Sequence, residues 1–322
     1  MKPLLSFGEA LIDFLQVGFS NVEDDRFAEF RQFPGGAPAN VAVAFARLGG
    51  EARFAGQVGD DPFGRFLESS LAHYGVNTRF LHFHPTANTA LAFVSLDSEG
   101  DRSFSFYRDG TADLLFLKDQ VTDDWFGDRP AFHLCSNTLT NGDIAAVSRY
   151  ALDQAREAGC MISFDVNLRP GLWPGGNVDR SRCDVVVRAA DFIKFAKEEF
   201  EFLANGDEQH YVDALLAGKA RLIVVTDGGE PVRFFAREHR GMVVTPKVDV
   251  VDTTAAGDAF TAGLLRGLCA ASDPDLVVND RACLTALLEF AVHCGSLTTT
   301  RAGAFPAIPE FSEVADAWTE MP

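Results

Sequence analysis

The sequence has few basic residues for its length, and few of those are lysines. Of its 322 residues, 28 are Lys or Arg and 46 are Asp or Glu, which gives a formal net charge of −18. Such a charge disfavours non-specific binding to nucleic acid or to an anionic membrane, because both require basic protein surface. Only six of the basic residues are lysines. Any anionic ligand must therefore be held by local groups rather than by the overall electrostatic field.

Cysteines and long apolar runs are also scarce. The six cysteines are far apart and form no C-x-x-C pair. Disulfide frameworks are typical of short secreted chains, so we expect reduced thiols and a cytoplasmic protein. No run of 18 apolar residues is present, and the first residues lack the apolar core of a signal peptide. The sequence therefore predicts neither a membrane span nor a secretion signal.

Short apolar runs alternate with helical patterns along most of the chain. Six runs are predicted to be buried strands of a parallel sheet: residues 4–7, 53–58, 131–135, 161–165, 191–195 and 222–226. Helical patterns are found at residues 39–48, 143–157, 197–203, 212–216, 256–270 and 280–296. This alternation predicts βαβ units and an α/β fold with one open sheet.

One region interrupts this alternation. Residues 89–97 and 102–108 have β patterns and are joined by a polar turn at 98–101. In the second run Phe104 and Phe106 share one face, which predicts a hairpin with one covered face. With the acidic insert around residues 17–33, this hairpin suggests a small β appendage over the edge of the sheet. An ordinary edge hairpin is equally compatible with the pattern.

The first glycine-containing segment, residues 33–41, leads directly into an apolar helix. Gly35 and Gly36 have no Cβ, so the backbone can approach a ligand closely. Asn40 in the first turn can present its amide to a hydroxyl group, next to the free N–H groups of the helix start. The alternative is a tight turn into a helix with no ligand.

The second segment, residues 250–260, places small residues at the start of a long helix. Exposed N–H groups and the helix dipole at such a start favour phosphate or a negatively charged transition state. Asp258 lies in the first turn, beside any anion held there, where it can serve as a base. It can equally be a residue that only stabilises the helix start.

Together the two segments resemble the two signature motifs of the PfkB (ribokinase-like) family of carbohydrate kinases. The first signature matches residues 35–42, 48–49 and 56–64, and the second matches residues 252–258. The resemblance extends from Gly8 to Ala304, and residues 8–9, 106–113 and 165–170 are most similar to fructokinases. It implies a ribokinase-like three-layer α/β/α fold with a mostly parallel central sheet. It also implies a single kinase domain over residues 1–322, with a small β lid formed from about 14–34 and 85–110.

The resemblance implies ATP-dependent transfer of the γ-phosphate to a primary hydroxyl of a small sugar, with fructose the first candidate. A 2-keto-3-deoxygluconate kinase or a ribokinase of the same family is the alternative, and a catalytically inactive sugar- or nucleotide-binding regulator is the non-enzyme alternative. Asp258 matches the catalytic base. Ala255, Ala256 and Gly257 match the anion hole.

The resemblance also assigns the substrate-binding residues. Those expected to face the sugar are Asp13, Gly35, Gly36, Asn40, Arg169 and Arg108, the arginines facing the sugar or the transferred phosphate. Those expected to face the nucleotide are Thr226, Gly228 and Lys194. The β lid would close over the sugar and exclude water, and the lid of such kinases often pairs between subunits. The apolar face of Phe104 and Phe106 suggests a homodimer of this kind.

Metal ligands are implied in the same way. Glu199 matches the acidic end of the family's N-x-x-E motif and would order Mg²⁺ through water. Asp252 is a candidate ligand for a monovalent cation such as K⁺. The chain departs from the family pattern at Ala255, where Gly is commonest, and at Ala196 and Val292, where Asn is usual. These departures concern the anion hole, the magnesium ligand and the adenine contacts.

Overall fold

The strands in the described part of the chain form two separate β-sheets. The computed structural model describes residues 1–22, 25–96 and 102–322, without the side chains of residues 96 and 102–104. The strands are β1 Leu4–Phe7, β2 Leu11–Val22, β3 Asp25–Gly35, β4 Ala52–Gly59, β5 Asn77–His84, β6 Leu91–Leu96, β7 Arg102–Tyr107, β8 Ala131–Cys135, β9 Met161–Asp165, β10 Phe192–Ala196, β11 Leu222–Asp227, β12 Glu230–Ala236 and β13 Arg240–Val243. The predicted hairpin turn at 98–101 lies outside the described residues.

Helices connect the strands of the larger sheet. They are α1 Ala37–Arg47, α2 Pro62–His73, α3 Gly142–Glu157, α4 Arg180–Ala189, α5 Lys197–Ala204, α6 Glu208–Ala217, α7 Ala256–Ala270, α8 Pro274–Asn279, α9 Arg281–Thr298 and α10 Phe311–Val314. The larger sheet has the order β13-β12-β11-β10-β9-β8-β1-β4-β5. Strands β1, β4, β5 and β8 to β11 run parallel, and only β12 and β13 pair antiparallel.

Both faces of the larger sheet are covered by helices, which explains its apolar strands. In β1, Leu4 joins a core with residues of α1, α7 and α9, whereas Leu5 joins a second core with residues of α3, α4, α5 and α6. A strand buried on both faces has no need for alternating polar residues. The predicted α/β fold with three layers and a mostly parallel sheet is therefore confirmed.

The smaller sheet has the order β3-β2-β6-β7. Strands β2 and β3 pair antiparallel along almost their full length, and β6 runs parallel to β2. The side of the sheet that carries Phe19 and Tyr107 leaves apolar side chains in solvent, since these two residues are 51% and 63% exposed. Phe106 instead packs with Leu11 and lines a cavity. Phe106 thus lies on the opposite face of the sheet from Tyr107, and pairing of the lid between subunits stays a prediction.

The C-terminal segment packs on helix α7 through an arginine. The Arg266 guanidinium lies 3.8 Å from the ring centroid of Trp318 and 4.2 Å from that of Phe311. Its Nε donates a hydrogen bond of 2.7 Å to the carbonyl oxygen of Leu48. The position of α7 in the fold is therefore coupled to the last residues of the chain.

Helices that could cross a membrane are absent from the described part of the chain, where none combines the necessary length and apolarity. All six cysteines are free thiols.

Candidate active site

Two parallel strands and two helix starts converge on one cavity of about 420 Å³. The carboxyl ends of β9 and β10 approach it from the larger sheet, and the starts of α1 and α7 face it. This is the edge of a parallel sheet at which α/β proteins bind their ligands. The cavity is lined by Glu9, Leu11, Asp13, Gly36, Ala37, Asn40, Phe106, Asn137, Asn167, Arg169, Leu172, Lys194, Thr253, Thr254, Ala255, Gly257 and Asp258.

Asp258 lies in the first turn of α7 and is 8% exposed. Its Oδ2 accepts a hydrogen bond of 2.7 Å from Nδ2 of Asn40, which belongs to α1. Burial, together with the negative charge of Asp165, raises the pKa of Asp258 to about 7. A carboxylate that titrates near neutrality is suited to accept and release a proton at physiological pH.

The three residues before Asp258 form the start of helix α7. Ala255 has φ +61°, in the left-handed region, and this conformation turns the chain into the helix. The first N–H groups of a helix lack intrahelical partners, so they are available to an anion. The Ala256 N–H also donates to the carbonyl oxygen of Thr253, at a long 3.3 Å. The structure thus brings the predicted anion-hole residues Ala255 and Gly257 to the cavity wall.

Asp13 and Gly35 face each other at the junction of the two sheets. A side chain at position 35 would collide with the Asp13 carboxylate, so glycine here leaves that carboxylate in its place. Gly36 has φ +102° and precedes α1. Burial and the nearby carboxylates of Asp252, Asp258 and Glu9 raise the pKa of Asp13 to about 7. The predicted sugar-facing residues Asp13, Gly36 and Asn40 line the same cavity as Asp258.

The two predicted arginines occupy different places. Arg169 lines the cavity, and its Nη1 donates to the carbonyl oxygen of Leu168. Arg108 is not among the lining residues. Its Nε donates to Asp113 at 2.6 Å, and its side chain is 5% exposed. That Arg108 faces the sugar or the phosphate stays a prediction, and the structure shows its guanidinium paired with a buried carboxylate.

Sequence reasoning missed Glu9 and Asn137 as cavity residues. Oε1 of Glu9 accepts hydrogen bonds from the Ala37 N–H, at 3.0 Å, and from Nδ2 of Asn137, at 2.9 Å. Glu9 therefore fixes the start of α1. The similarity of residues 8–9 to fructokinases was a signal for Glu9, whereas nothing in the sequence around Asn137 distinguished it from a loop residue.

Lys194 enters the cavity from strand β10. Its Nζ lies 3.1 Å from each carboxylate oxygen of Asp165, the last residue of β9. Burial alone would lower the pKa of Lys194, but the charges of Asp165, Glu199 and Asp258 outweigh burial and raise it. Lys194 is therefore a buried cation beside Asp258. Lys197, three residues later, is exposed and pairs with Asp227.

A second cavity, of about 660 Å³, adjoins the first. Thr226 and Gly228, both predicted to bind the nucleotide, line it. Its wall is largely apolar and includes Val292, at a position where the family pattern has Asn. The two cavities share the lining residues Thr253 and Gly257. Ligands in the two cavities would therefore meet at the start of α7.

The two predicted metal ligands bind backbone groups. Oε1 of Glu199 accepts from the Leu168 N–H and Oε2 from the Ala196 N–H, both at 2.7 Å. Oδ1 of Asp252 accepts from the Thr254 N–H, and Oδ2 accepts from the Gly303 N–H. No group of three metal-ligating side chains occurs among the described residues. These residues do not fit a magnesium site made by protein alone.

Comparisons with known proteins agree with this geometry. The sequence matches the PfkB family, described as pfkB family carbohydrate kinase, over residues 1–310. It is 41% identical over 317 residues to probable fructokinase-6, chloroplastic, of Arabidopsis thaliana, covering 98% of this chain and 82% of that protein.

Solved structures give the same result. The crystal structure of fructokinase with bound ATP from Xylella fastidiosa has a TM-score of 0.91 and 43% identity, covering 98% of this chain and 97% of that one. A fructokinase double mutant from Vibrio cholerae O395, in a form with fructose, ADP and potassium ion bound, has a TM-score of 0.87 and 32% identity over 99% of both chains. The chain therefore belongs to the PfkB family of carbohydrate kinases.

Proposed function

We propose that this protein is a fructokinase, which transfers the γ-phosphate of ATP to a primary hydroxyl of fructose. The observation that carries the proposal is the meeting of the two cavities at the start of α7, with Asp258 beside the anion hole. One cavity has the polar wall that a sugar needs. The other has the apolar wall that a nucleobase needs. The named fructokinases among its relatives support this substrate pair.

Each part of the transfer step can be assigned to residues of the site. The carboxylate of Asp258 accepts the proton of the sugar hydroxyl while the hydroxyl oxygen attacks the γ-phosphorus. The bond between the γ-phosphorus and the bridging oxygen breaks, and ADP leaves. The N–H groups of Ala255 and Gly257 stabilise the charge on the phosphoryl oxygens. The product is a sugar phosphate with a new P–O bond.

The charges of the sugar cavity favour a neutral sugar over a sugar acid. Glu9, Asp13 and Asp258 contribute three carboxyl groups to its wall. Arg169 and Lys194 are the cations among the lining residues, and Lys194 is already paired with Asp165. When these carboxyl groups are ionised, the carboxylate of 2-keto-3-deoxygluconate would meet more negative than positive charge. The hydroxyl groups of fructose can instead donate hydrogen bonds to these carboxylates.

Magnesium would enter the site as Mg·ATP, since Mg²⁺ is usually bound by substrate phosphates, waters and one or two carboxylates. Glu199 remains the candidate for contact through water. Asp252 remains the candidate ligand for K⁺, and the potassium ion named for the Vibrio cholerae relative supports this assignment.

The smaller sheet is the proposed lid. Phe106 of β7 lines the sugar cavity, so movement of this sheet would change access to the sugar. The exposed Phe19 and Tyr107 on its solvent side support a homodimer that pairs through the lid. Sedimentation of wild type and of F19S/Y107S tests the pairing, because the variant should sediment as a monomer. A cytoplasmic location remains a prediction.

An assay of ADP release with Mg·ATP tests the proposed function. Fructose, glucose, ribose and 2-keto-3-deoxygluconate are offered as acceptors, and fructose should give the highest kcat/KM. Turnover of another sugar in preference to fructose would reassign the substrate within the same reaction. ATP binding without turnover of any sugar would contradict the kinase and favour a binding regulator.

A further inference from the structure

A buried carboxylate outside the sugar cavity holds the lysine that lines it. Asp165 is 1% exposed and is absent from the cavity wall. Both of its oxygens lie 3.1 Å from Nζ of Lys194. Its Oδ2 also accepts a hydrogen bond of 3.1 Å from Oγ1 of Thr261, which lies on helix α7. Asp165 therefore joins strand β9, strand β10 and helix α7.

The lysine ammonium group lies directly against the anion hole. A Cβ on Gly257 would be 2.9 Å from Nζ of Lys194, so the ammonium group occupies the space beside the Gly257 Cα. Gly257 belongs to the first turn of α7 and to the wall of both cavities. The lysine charge is thus fixed where the two ligands would meet.

We propose that Asp165 is a positioning residue for phosphoryl transfer: it holds the ammonium group of Lys194 against Gly257, and Thr261 keeps this pair aligned with helix α7. This inference rests on the proposed kinase reaction. In that reaction Lys194 places positive charge beside the phosphoryl oxygens, and the proton of the sugar hydroxyl still passes to Asp258. Asp165 acts through Lys194 and touches neither substrate.

Asp165 also affects the proton acceptor. The groups that face Asp258 come from five places in the fold: Asp165 of β9, Lys194 of β10, Arg169 after β9, Asn40 of α1 and Asp13 of β2. Burial is the largest cause of the raised pKa of Asp258, and the charge of Asp165 is the next. Asn40, Lys194 and Arg169 act in the opposite direction. Removing the charge of Asp165 should therefore lower the pKa of Asp258.

The test is Asp165→Asn, which keeps the shape of the side chain and an oxygen acceptor for Thr261. At pH 8 we expect kcat to fall about 10- to 100-fold, as for a displaced catalytic group, while KM for fructose stays within about threefold. The acid limb of the kcat/KM profile should move to lower pH by about one unit. A loss of stability alone would not move this limb.

Two further variants separate this role of Asp165 from a general loss of structure or stability. Asp191→Asn is the control, since Asp191 is a half-buried carboxylate directly before β10, where it accepts from the Ile162 N–H. It should keep the wild-type profile. Because Asp165 acts through Lys194, the double variant D165N/K194M should have a kcat no lower than that of K194M. The double variant also keeps the charges balanced, so it supplies the pH profile if D165N alone does not fold.

The outcomes distinguish the inference from the proposed function. If the wild type phosphorylates no sugar, the kinase proposal itself fails. If the wild type is active but D165N retains the wild-type kcat and acid limb, the positioning role is overturned and the kinase stands. Additive losses in D165N/K194M would likewise show that Asp165 does not act through Lys194.

Discussion

Asp258 is the residue on which the proposed chemistry depends most directly. Asp258→Asn removes the proton acceptor but keeps the side-chain shape and the contact with Asn40. We expect kcat to fall roughly 10²- to 10⁴-fold, with KM for fructose changed little, because a general base contributes about this much. Steady-state assays of ADP release measure both constants. Full activity in this variant would remove Asp258 as the base, and the exposed Asp213→Asn serves as the control.

A substitution at Ala255 measures the free-energy cost of its unusual backbone conformation. Its φ of +61° is the left-handed region, which costs a residue with a Cβ about 1–2 kcal/mol. Ala255→Gly relieves this strain but increases the entropy of the unfolded chain, by about 0.4–1 kcal/mol. We expect the free energy of unfolding to rise by about 0.5–1 kcal/mol, with activity retained because the amide remains.

The control for Ala255 is the same substitution in an ordinary helical conformation. Ala214 lies inside helix α6. Ala214→Gly should lower the free energy of unfolding by about 0.5–1 kcal/mol. Chemical denaturation of the two variants should therefore give changes of opposite sign. Equal destabilisation by both would contradict the strain assigned to Ala255.

At the scale of single residues, the sequence predicted those site residues whose side-chain type and motif indicate a chemical role. Asp258, Asn40 and Asp13 occur in motifs and all line one cavity. It did not separate Arg169 from Arg108, because the sequence does not show that Asp113 neutralises Arg108. Asn137 was missed for a related reason, since its contact with Glu9 joins residues 128 positions apart.

Whole elements were predictable where burial is uniform. The strands at residues 4–7, 131–135 and 161–165 have the predicted bounds, because both faces of the sheet are covered and their residues are all buried and mostly apolar. The long pair β2 and β3 was predicted only as part of an appendage. Most of β3 is exposed, so its sequence carries polar residues without a buried stripe.

The contact between helix α7 and the C-terminal segment gives a prediction at the element scale. Arg266→Met removes three cation–π contacts, to Phe290, Phe311 and Trp318, and leaves the Leu48 carbonyl without its donor. Together these losses should lower the free energy of unfolding by about 2–3 kcal/mol. The exposed Arg281→Met should change it by less than about 0.5 kcal/mol. Thermal unfolding compares the two, and an unchanged Arg266 variant would contradict the role of this contact.

At the scale of the whole molecule, stability should depend on pH through the sugar cavity. The pKa values of Asp13 and Asp258 are raised to about 7 in the folded state. Between about pH 4 and 7 the folded protein therefore binds more protons than the unfolded chain, so these two groups make stability fall as pH rises. The melting temperature from pH 5 to 8 measures this effect. The fall in melting temperature per pH unit should be smaller in D13N/D258N than in the wild type. An equal fall would contradict the raised pKa values of Asp13 and Asp258.

The net charge of −18 should affect the two substrates differently. It repels Mg·ATP over distances that shrink from about 30 Å at 0.01 M salt to about 8 Å at 0.15 M. We expect KM for ATP to fall severalfold over this range, because screening removes the repulsion. KM for fructose, which is uncharged, is the internal control. Equal changes in both constants would indicate a general effect of salt on the fold.

Two carboxyl groups that titrate near neutrality in one cavity also couple ligand binding to the binding and release of protons. At pH 6.5 Asp13 and Asp258 are partly protonated when no sugar is bound. Sugar hydroxyl groups that donate hydrogen bonds to the ionised carboxylates would displace these protons. Sugar binding would then release protons into the buffer, so the heat measured by calorimetry would vary with the ionisation enthalpy of that buffer. In the proposed reaction, Asp258 with this pKa would retain the proton of the sugar hydroxyl until the product leaves. The affinity for sugar and the protonation of Asp13 and Asp258 are therefore thermodynamically coupled.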